Sequence, residues 1–441
     1  MNLKFSSRVI GAIGAFLAAA IRGYAADATT AIALPPLPSP VIVKLSAEQI
    51  AAFRDYLVQE QKQMGLPGMA VVLAQPGQTL LSEGLGVRQA GGNLPVTTDT
   101  RFALGPATQA VNSLLMARLA EEDIISLDAP ATRCWDEFRL AGSETKVTLP
   151  NSPGVTAGDS PERSDKLPAT QGWDESKIAD HAAPPKVTLR QLLGMMAGVP
   201  QHADSVLGNV SATPADLFSV MAEIPVATPP GREFAYSDAS MATAGYLAVY
   251  AANHHREPVM GLAVGYATLA KEHLFDPLGM KDATFEASDD DAIGHTRDGQ
   301  RAWKSVTTDS ANGGALRPAL GLYASANDVA AWLQVELCGG LGRDGKSFVL
   351  KDAVEERWRP PSEDDQREYG LGWATQHYRG IELVTRSGEH GDQAELVAIL
   401  PQYRTAFALL TNGSGKETAV FLQDALLNLA DLLRETAAGP N

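Results

Sequence analysis

The stretch Arg101-Phe102-Ala103-Leu104-Gly105-Pro106-Ala107-Thr108-Gln109 decides how the chain is read. Gly105-Pro106 breaks the chain and opens a helical run that ends near Leu127-Asp128. Pro106 suits the first helical position, since its missing N–H has no partner there. Val111, Leu114, Leu115 and Leu119 follow at helical spacing and give one apolar face.

Upstream, Gly68-Met69-Ala70-Val71-Val72-Leu73-Ala74 is strand-like, Gln75-Pro76-Gly77-Gln78 is a turn, and residues 79–87 form a second strand of an antiparallel hairpin. Before it, a helix is expected from about Ser46 to Met64. Ser46 and Gln49 form its capping box, and Leu45 with Ile50 its hydrophobic staple. Downstream, residues 139–171 are rich in Ser, Thr, Pro, Asp and Gly and read as a long surface insertion. Helices are expected over 215–222 and 239–252. Two strands follow around Pro401, and an amphipathic helix over about 418–436 ends the chain.

The net charge of −16 over 441 residues argues against a nucleic-acid surface and against docking on anionic lipid. Residues 1–25 carry Lys4 and Arg8, an apolar run from Val9 to Ile21, and small residues at Gly23 and Ala25. This is a signal-peptide pattern, too short for a comfortable span, with periplasmic or secreted localisation as its consequence. An uncleaved N-terminal anchor is the alternative. Residues 26–44 are rich in Ala and Pro and read as an extended linker. Cys134 and Cys338 have no metal-ligand spacing; one disulfide or two buried thiols both fit. No cofactor fingerprint occurs.

Several motifs in order resemble the serine β-lactamase and penicillin-binding-protein family. Gly65-Leu66-Pro67-Gly68-Met69-Ala70-Val71 resembles its entry hairpin. Phe102 to Gln109 resembles its Phe-x-x-Gly-Ser-x-Thr-Lys nucleophile stretch. Val187-Thr188-Leu189-Arg190-Gln191-Leu192-Leu193, Tyr236-Ser237-Asp238, Leu274-Phe275-Asp276-Pro277-Leu278-Gly279-Met280, Gly321-Leu322-Tyr323 and Tyr369-Gly370-Leu371-Gly372-Trp373 follow in register. The resemblance spans about residues 45–435. It implies an α/β (α+β) fold: an antiparallel sheet flanked by helices, with a mostly helical region inserted over about 130–305 and an active site at the junction.

It also implies acyl transfer by a Ser, with a Lys one turn later and a Tyr sharing the acid/base work. Here the Ser position holds Pro106 and the Lys position holds Gln109. Pro106 supplies no nucleophile, and Gln109 cannot take a proton. Thr108 is displaced by two residues and should face elsewhere. The only true Ser-x-x-Lys in the chain, Ser143-Glu144-Thr145-Lys146, falls in the irregular insertion on poor helix material. The third motif is placed at Arg386-Ser387-Gly388, where Arg386 keeps a cation able to bind a carboxylate. His390 reads as a solvated side chain, an acid/base group or a metal ligand.

The expected ligand site is therefore Gln109, Tyr236, Asp238, Arg386, Ser387 and Gly388, with Tyr236 the one retained catalytic-type residue. Three functions are open. One is an exported non-acylating binder of a peptide, small molecule or peptidoglycan fragment. The others are an amide or ester hydrolase with a rewired site, and a structural or assembly protein.

Overall fold

The computed structural model describes residues 41–142, 186–207, 211–256, 258–297, 302–306, 313–342, 344–359 and 368–439, all within one unit. Residues 1–40, most of the expected insertion, and Ser143 to Lys146 lie outside this set.

Helix α1 (Ala47–Met64) starts where the capping box places it. Ser46 Oγ accepts from Gln49 N, Gln49 Oε1 accepts from Ser46 N, and Gly65 closes the helix with φ +59°. Strands β1 (Gly68–Gln75) and β2 (Gln78–Gly86) form the expected hairpin. Then come β3 (Phe102–Ala103) and helix α2 (Ala107–Glu121). The helical region holds α3 (Leu189–Leu193), α4 (His202–Leu207), α5 (Pro214–Glu223), α6 (Asp238–Ala252) and α7 (Leu262–Ala270). A small ribbon, β4 (His295–Arg297) with β5 (Trp303–Ser305), precedes β6 (Tyr323–Ala324), α8 (Ala326–Leu337) and α9 (Lys351–Trp358). Strands β7 (Ala374–Tyr378), β8 (Ile381–His390), β9 (Gln393–Leu400) and β10 (Thr405–Thr411) and helix α10 (Lys416–Ala438) complete the fold.

The main sheet has the order β2-β1-β10-β9-β8-β7 and is antiparallel throughout. Both chain ends therefore build its centre. Alternation divides its side chains between two cores. Met69, Val71, Leu73, Phe407 and Leu409 pack with Phe53 and Leu57 of α1 and with Phe421 and Leu429 of α10. Ala70, Val72, Val397 and Ile399 pack with α2 and the helical region. Burial on both faces explains why β1 reads as an unbroken apolar run.

Helix α2 differs from the amphipathic helix its apolar spacing suggests. It is buried nearly all round, because the sheet lies on one side and α6, α9, the turn Arg317–Leu320 and the segment Lys271–Phe275 close the others. Its polar residues are accommodated by hydrogen bonds. Asn112 Nδ2 donates to Met241 O and Asn112 Oδ1 accepts from Tyr266 OH, while Ser113 Oγ accepts from Arg357 Nε. Thr108 does face away from the cleft: its Oγ1 accepts from Leu322 N at 3.2 Å.

The segment read as linker is docked at its end, since Val41 N donates to Gln402 O and Val43 is buried. The segment read as insertion keeps its first residues in the fold, with Ala141 N donating to Met221 O. Cys134 is a buried free thiol, its pKa pushed up to about 11 by burial, and Cys338 is also free. Among the described residues no helix is long and apolar enough to cross a membrane.

Candidate functional site

The chain enters the site through Gly105, whose φ of +44° is left-handed. A Cβ there would lie 2.7 Å from His390 Cβ, so the close approach of β8 also demands glycine. Pro106 follows at φ −56° as the residue just before α2, one position earlier than expected. Its ring packs on β8, where a Cβ at Gly388 would meet Pro106 Cγ at 2.4 Å. Proline offers neither a hydroxyl nor the backbone N–H that a helix N-terminus would otherwise aim into the cleft. The next amide, Ala107 N, donates to Glu395 Oε1 at 3.2 Å. Glu395 is itself buried and burial holds its pKa well above the usual range.

One turn into α2, Gln109 is fully buried and engaged at both ends of its amide. Its Nε2 donates to Asp238 Oδ1 at 2.6 Å and to Tyr236 OH at 2.8 Å, and its Oε1 accepts from Tyr369 OH at 3.0 Å. Tyr236 OH donates to Asp238 Oδ1 at 2.8 Å and accepts from Arg386 Nη2 at 2.8 Å. Arg386 Nε donates to Pro106 O at 3.0 Å. The guanidinium also lies over the rings of Tyr236 and Tyr369, 5.4 Å and 5.7 Å from their centroids. Gln109, Tyr236, Asp238, Arg386 and Tyr369 thus form one closed circuit.

Burial pushes the Tyr236 hydroxyl strongly up, Arg386 opposes and Asp238 adds to the rise; the hydroxyl stays protonated at neutral pH. Burial also raises Asp238, against the hydrogen bond from Tyr236 and the charge of Arg386. For Arg386, burial alone would lower the pKa; Tyr236, Tyr369 and Asp238 outweigh it and the net shift is upward.

The Tyr236-Ser237-Asp238 turn is anchored from behind. Ala235 N donates to Met195 O, and Ser237 N to Met195 Sδ, so Met195 holds this turn from behind. Asp204 of α4 accepts from Ser237 Oγ at 3.0 Å, Asp238 N at 3.0 Å and Ala239 N at 2.8 Å. Gln201, Asp204, Ser205, Tyr236 and Asp238 line an open depression of about 530 Å³.

Gln109, Tyr236, Asp238 and Arg386 are thus brought together, and Gly388 forms the contact with Pro106. Ser387 is exposed and pairs with Leu396, whose side chain belongs to the opposite face of the sheet. It offers the site its backbone rather than its hydroxyl. Beyond this point β8 has an open edge: β7 pairs with Ile381 to Thr385, and among the described residues nothing pairs with that side of 386–390. His390 is half-buried, and among the described residues no cluster of His, Cys, Asp and Glu could hold a metal. Sequence reading missed Tyr369, Asp204 and Glu395. Tyr369 stands in a motif quoted for the resemblance, which was its available signal.

This combination of sheet, inserted helices and cleft defines the class of serine β-lactamases and penicillin-binding proteins. The family model described as Beta-lactamase matches residues 53–431, and the chain belongs to that family. Among curated relatives, Protein flp of Staphylococcus aureus is 19% identical over 365 residues, covering 81% of this chain and 62% of flp. Unguisins hydrolase ungD' of Aspergillus campestris is 22% identical over 394 residues, covering 85% of this chain and 63% of the relative. The human mitochondrial serine beta-lactamase-like protein LACTB is 26% identical over 117 residues, 21% of its length. The chain therefore spans less than two thirds of these relatives. Among solved structures, the octameric penicillin-binding protein homologue from Pyrococcus abyssi superposes with a TM-score of 0.63 at 19% identity, covering 87% of this chain and 77% of that one. SurE gives 0.62, also at 19% identity, covering 88% and 76%.

Proposed function

We propose that this family member is an exported, non-acylating binding protein whose ligand is a peptide or peptidoglycan fragment. The observation that carries the reading is Pro106: the nucleophile position holds a ring packed against Gly388, with no hydroxyl and no N–H. Covalent chemistry needs a nucleophile and a base, and Gln109 replaces the second. What remains suits recognition. An extended peptide pairs with the open edge of β8 at 386–390, the mode by which free strand edges bind peptides. Its carboxylate is drawn to Arg386, the cation of the cleft. A rewired hydrolase, to which the name of the Aspergillus relative would point, is opposed by the lack of a hydroxyl at Pro106 and of a titratable side chain at Gln109.

The test is calorimetric titration with a peptide ending in D-Ala-D-Ala, with chromatography of the mixture afterwards. Saturable binding with the peptide intact is expected; cleavage of the peptide, or no heat at any concentration, overturns the reading. Export is tested separately by N-terminal sequencing of the protein recovered from the periplasm or medium, expected to begin after Ala25.

A further inference from the structure

We propose that the depression beside Asp238 receives a protonated amine, so that the ligand of this cleft is a peptide presenting a free ammonium group to Asp238 Oδ2. The inference rests on the binding role proposed above for the same cleft.

The lining of the depression sets the chemistry. Gln201, Asp204, Ser205, Tyr236 and Asp238 supply two carboxyls and no cation. The two carboxyls are occupied unequally. Asp204 is filled: its Oδ1 accepts from Ser237 Oγ and Ala239 N, and its Oδ2 from Asp238 N. With three donors on it, the geometry holds Asp204 as a carboxylate. Burial, then Asp238, push its pKa up to about 6, which leaves it charged at pH 7. Asp238 Oδ1 is filled as well, by Gln109 Nε2 and Tyr236 OH, and both donors favour its charged form. Asp238 Oδ2, by contrast, accepts from none of the described residues and is not sealed in the core. It is the carboxylate oxygen that the lining leaves to a ligand.

A carboxylate only accepts, so whatever meets Oδ2 must donate. An amide at position 238 would offer an N–H too, and a ligand carbonyl would then serve equally. Charge selects among the donors. Arg386 bonds Tyr236 OH and Pro106 O and does not line the depression. Two carboxylates against this guanidinium leave the depression net negative. An ammonium gains a charge-assisted bond there, about twice as strong as that of a neutral N–H. Ser205 and Gln201, exposed on the rim, offer further acceptors for its remaining N–H groups. A metal ion is not served, because among the described residues no group of three His, Cys, Asp or Glu comes together.

Acetylation of the ligand tests this. Lys-D-Ala-D-Ala carries an α-ammonium and a side-chain ammonium. It is titrated calorimetrically at pH 7 beside its Nα-acetyl, Nε-acetyl and diacetyl forms. The diacetyl peptide is expected to bind about ten- to a hundredfold more weakly than the free one, the range of a hydrogen bond to a charged group. Whichever monoacetyl form keeps the affinity identifies the source of the ammonium. In Asp238→Asn, which keeps an acceptor for Gln109 and Tyr236, the ratio between free and diacetyl peptide is expected to fall to about one. That fall separates the site from the general attraction of cations to an acidic protein. Equal binding of free and diacetyl peptides to the wild type overturns the amine site and leaves the peptide reading standing. A ratio unchanged in Asp238→Asn overturns it too. Lysinamide, titrated alone by NMR, reads the site without a variant or a peptide. The amides of Ser205, Asp238 and Ala239 are expected to shift saturably with lysinamide and to stay in place with its diacetyl form. Such shifts without binding of any peptide support the amine site and remove the peptide reading instead. Amides that do not respond to lysinamide overturn the amine site.

Discussion

Placing the family's Ser and Lys at positions 106 and 109 is the most direct test of how the cleft is aligned. In Pro106→Ser combined with Gln109→Lys, the new hydroxyl takes the place of the ring now packed on Gly388, and the new ammonium takes over the donations to Asp238 and Tyr236. The structural cost follows from the circuit. Tyr369 OH loses its acceptor on Gln109, about 1–3 kcal/mol for a buried hydroxyl. Removing proline frees the unfolded chain by about 0.4–1 kcal/mol. The double variant is therefore expected to fold, with a loss of about 1.5–4 kcal/mol from these two effects and a Tm lower by several degrees. Intact-mass spectrometry after incubation with a penicillin reads the chemistry. The wild type is expected to form no adduct, and the double variant one adduct that maps to position 106. Pro106→Ser alone has the hydroxyl without its base and is expected to react about 10²–10⁴-fold more slowly. An adduct on the wild-type protein, or a folded double variant that stays unlabelled, refutes the reasoning.

Three further outcomes are expected. Gly388→Ala drives a Cβ into Pro106, costing about 1–3 kcal/mol in urea unfolding, and the cost shrinks when Pro106→Ser is present, as a double-mutant cycle will read. Glu336→Ala leaves the buried Arg357 guanidinium uncompensated and the indole N–H groups of Trp332 and Trp358 without their acceptor; calorimetry should show a loss of about 3–5 kcal/mol. His295 is buried, with Nδ1 bonded to Asn412 O and Nε2 accepting from Ala90 N, and burial lowers its pKa below 6.5. The neutral form is thus the native one, and its contribution is full above pH 6.5 and lost as pH falls toward the lowered value. His295→Gln should show a smaller loss of stability than wild type between pH 7.5 and pH 5.5.

Local chemistry was the legible part of this molecule. The capping box at Ser46 and Gln49 and the β1–β2 turn are written within a few residues, and both form as read. The two replaced positions, Pro106 and Gln109, were visible because they interrupt a motif with fixed spacing. Contacts between distant segments were not legible. Asp204 reaches the start of α6 from 33 to 35 residues away, and Tyr369 reaches Gln109 across 260. Nothing in the spacing announces either. Burial of α2 nearly all round was hidden for a related reason. Its spacing gives one apolar face, but Asn112 and Ser113 also find partners, on α6, α7 and α9, elements that the sequence does not place beside it.

That burial has a consequence for which positions of the helix can vary. Helix α2 is the axle on which the sheet and the helical region turn toward each other, and most of its residues answer to packing. In its first turn Ala107 and Thr108 also answer to packing, while Pro106 and Gln109 face the cleft, so those two positions can be exchanged while the axle stays true. A chain built this way retains the outline of an enzyme for mechanical reasons, whether or not a reaction is still asked of it.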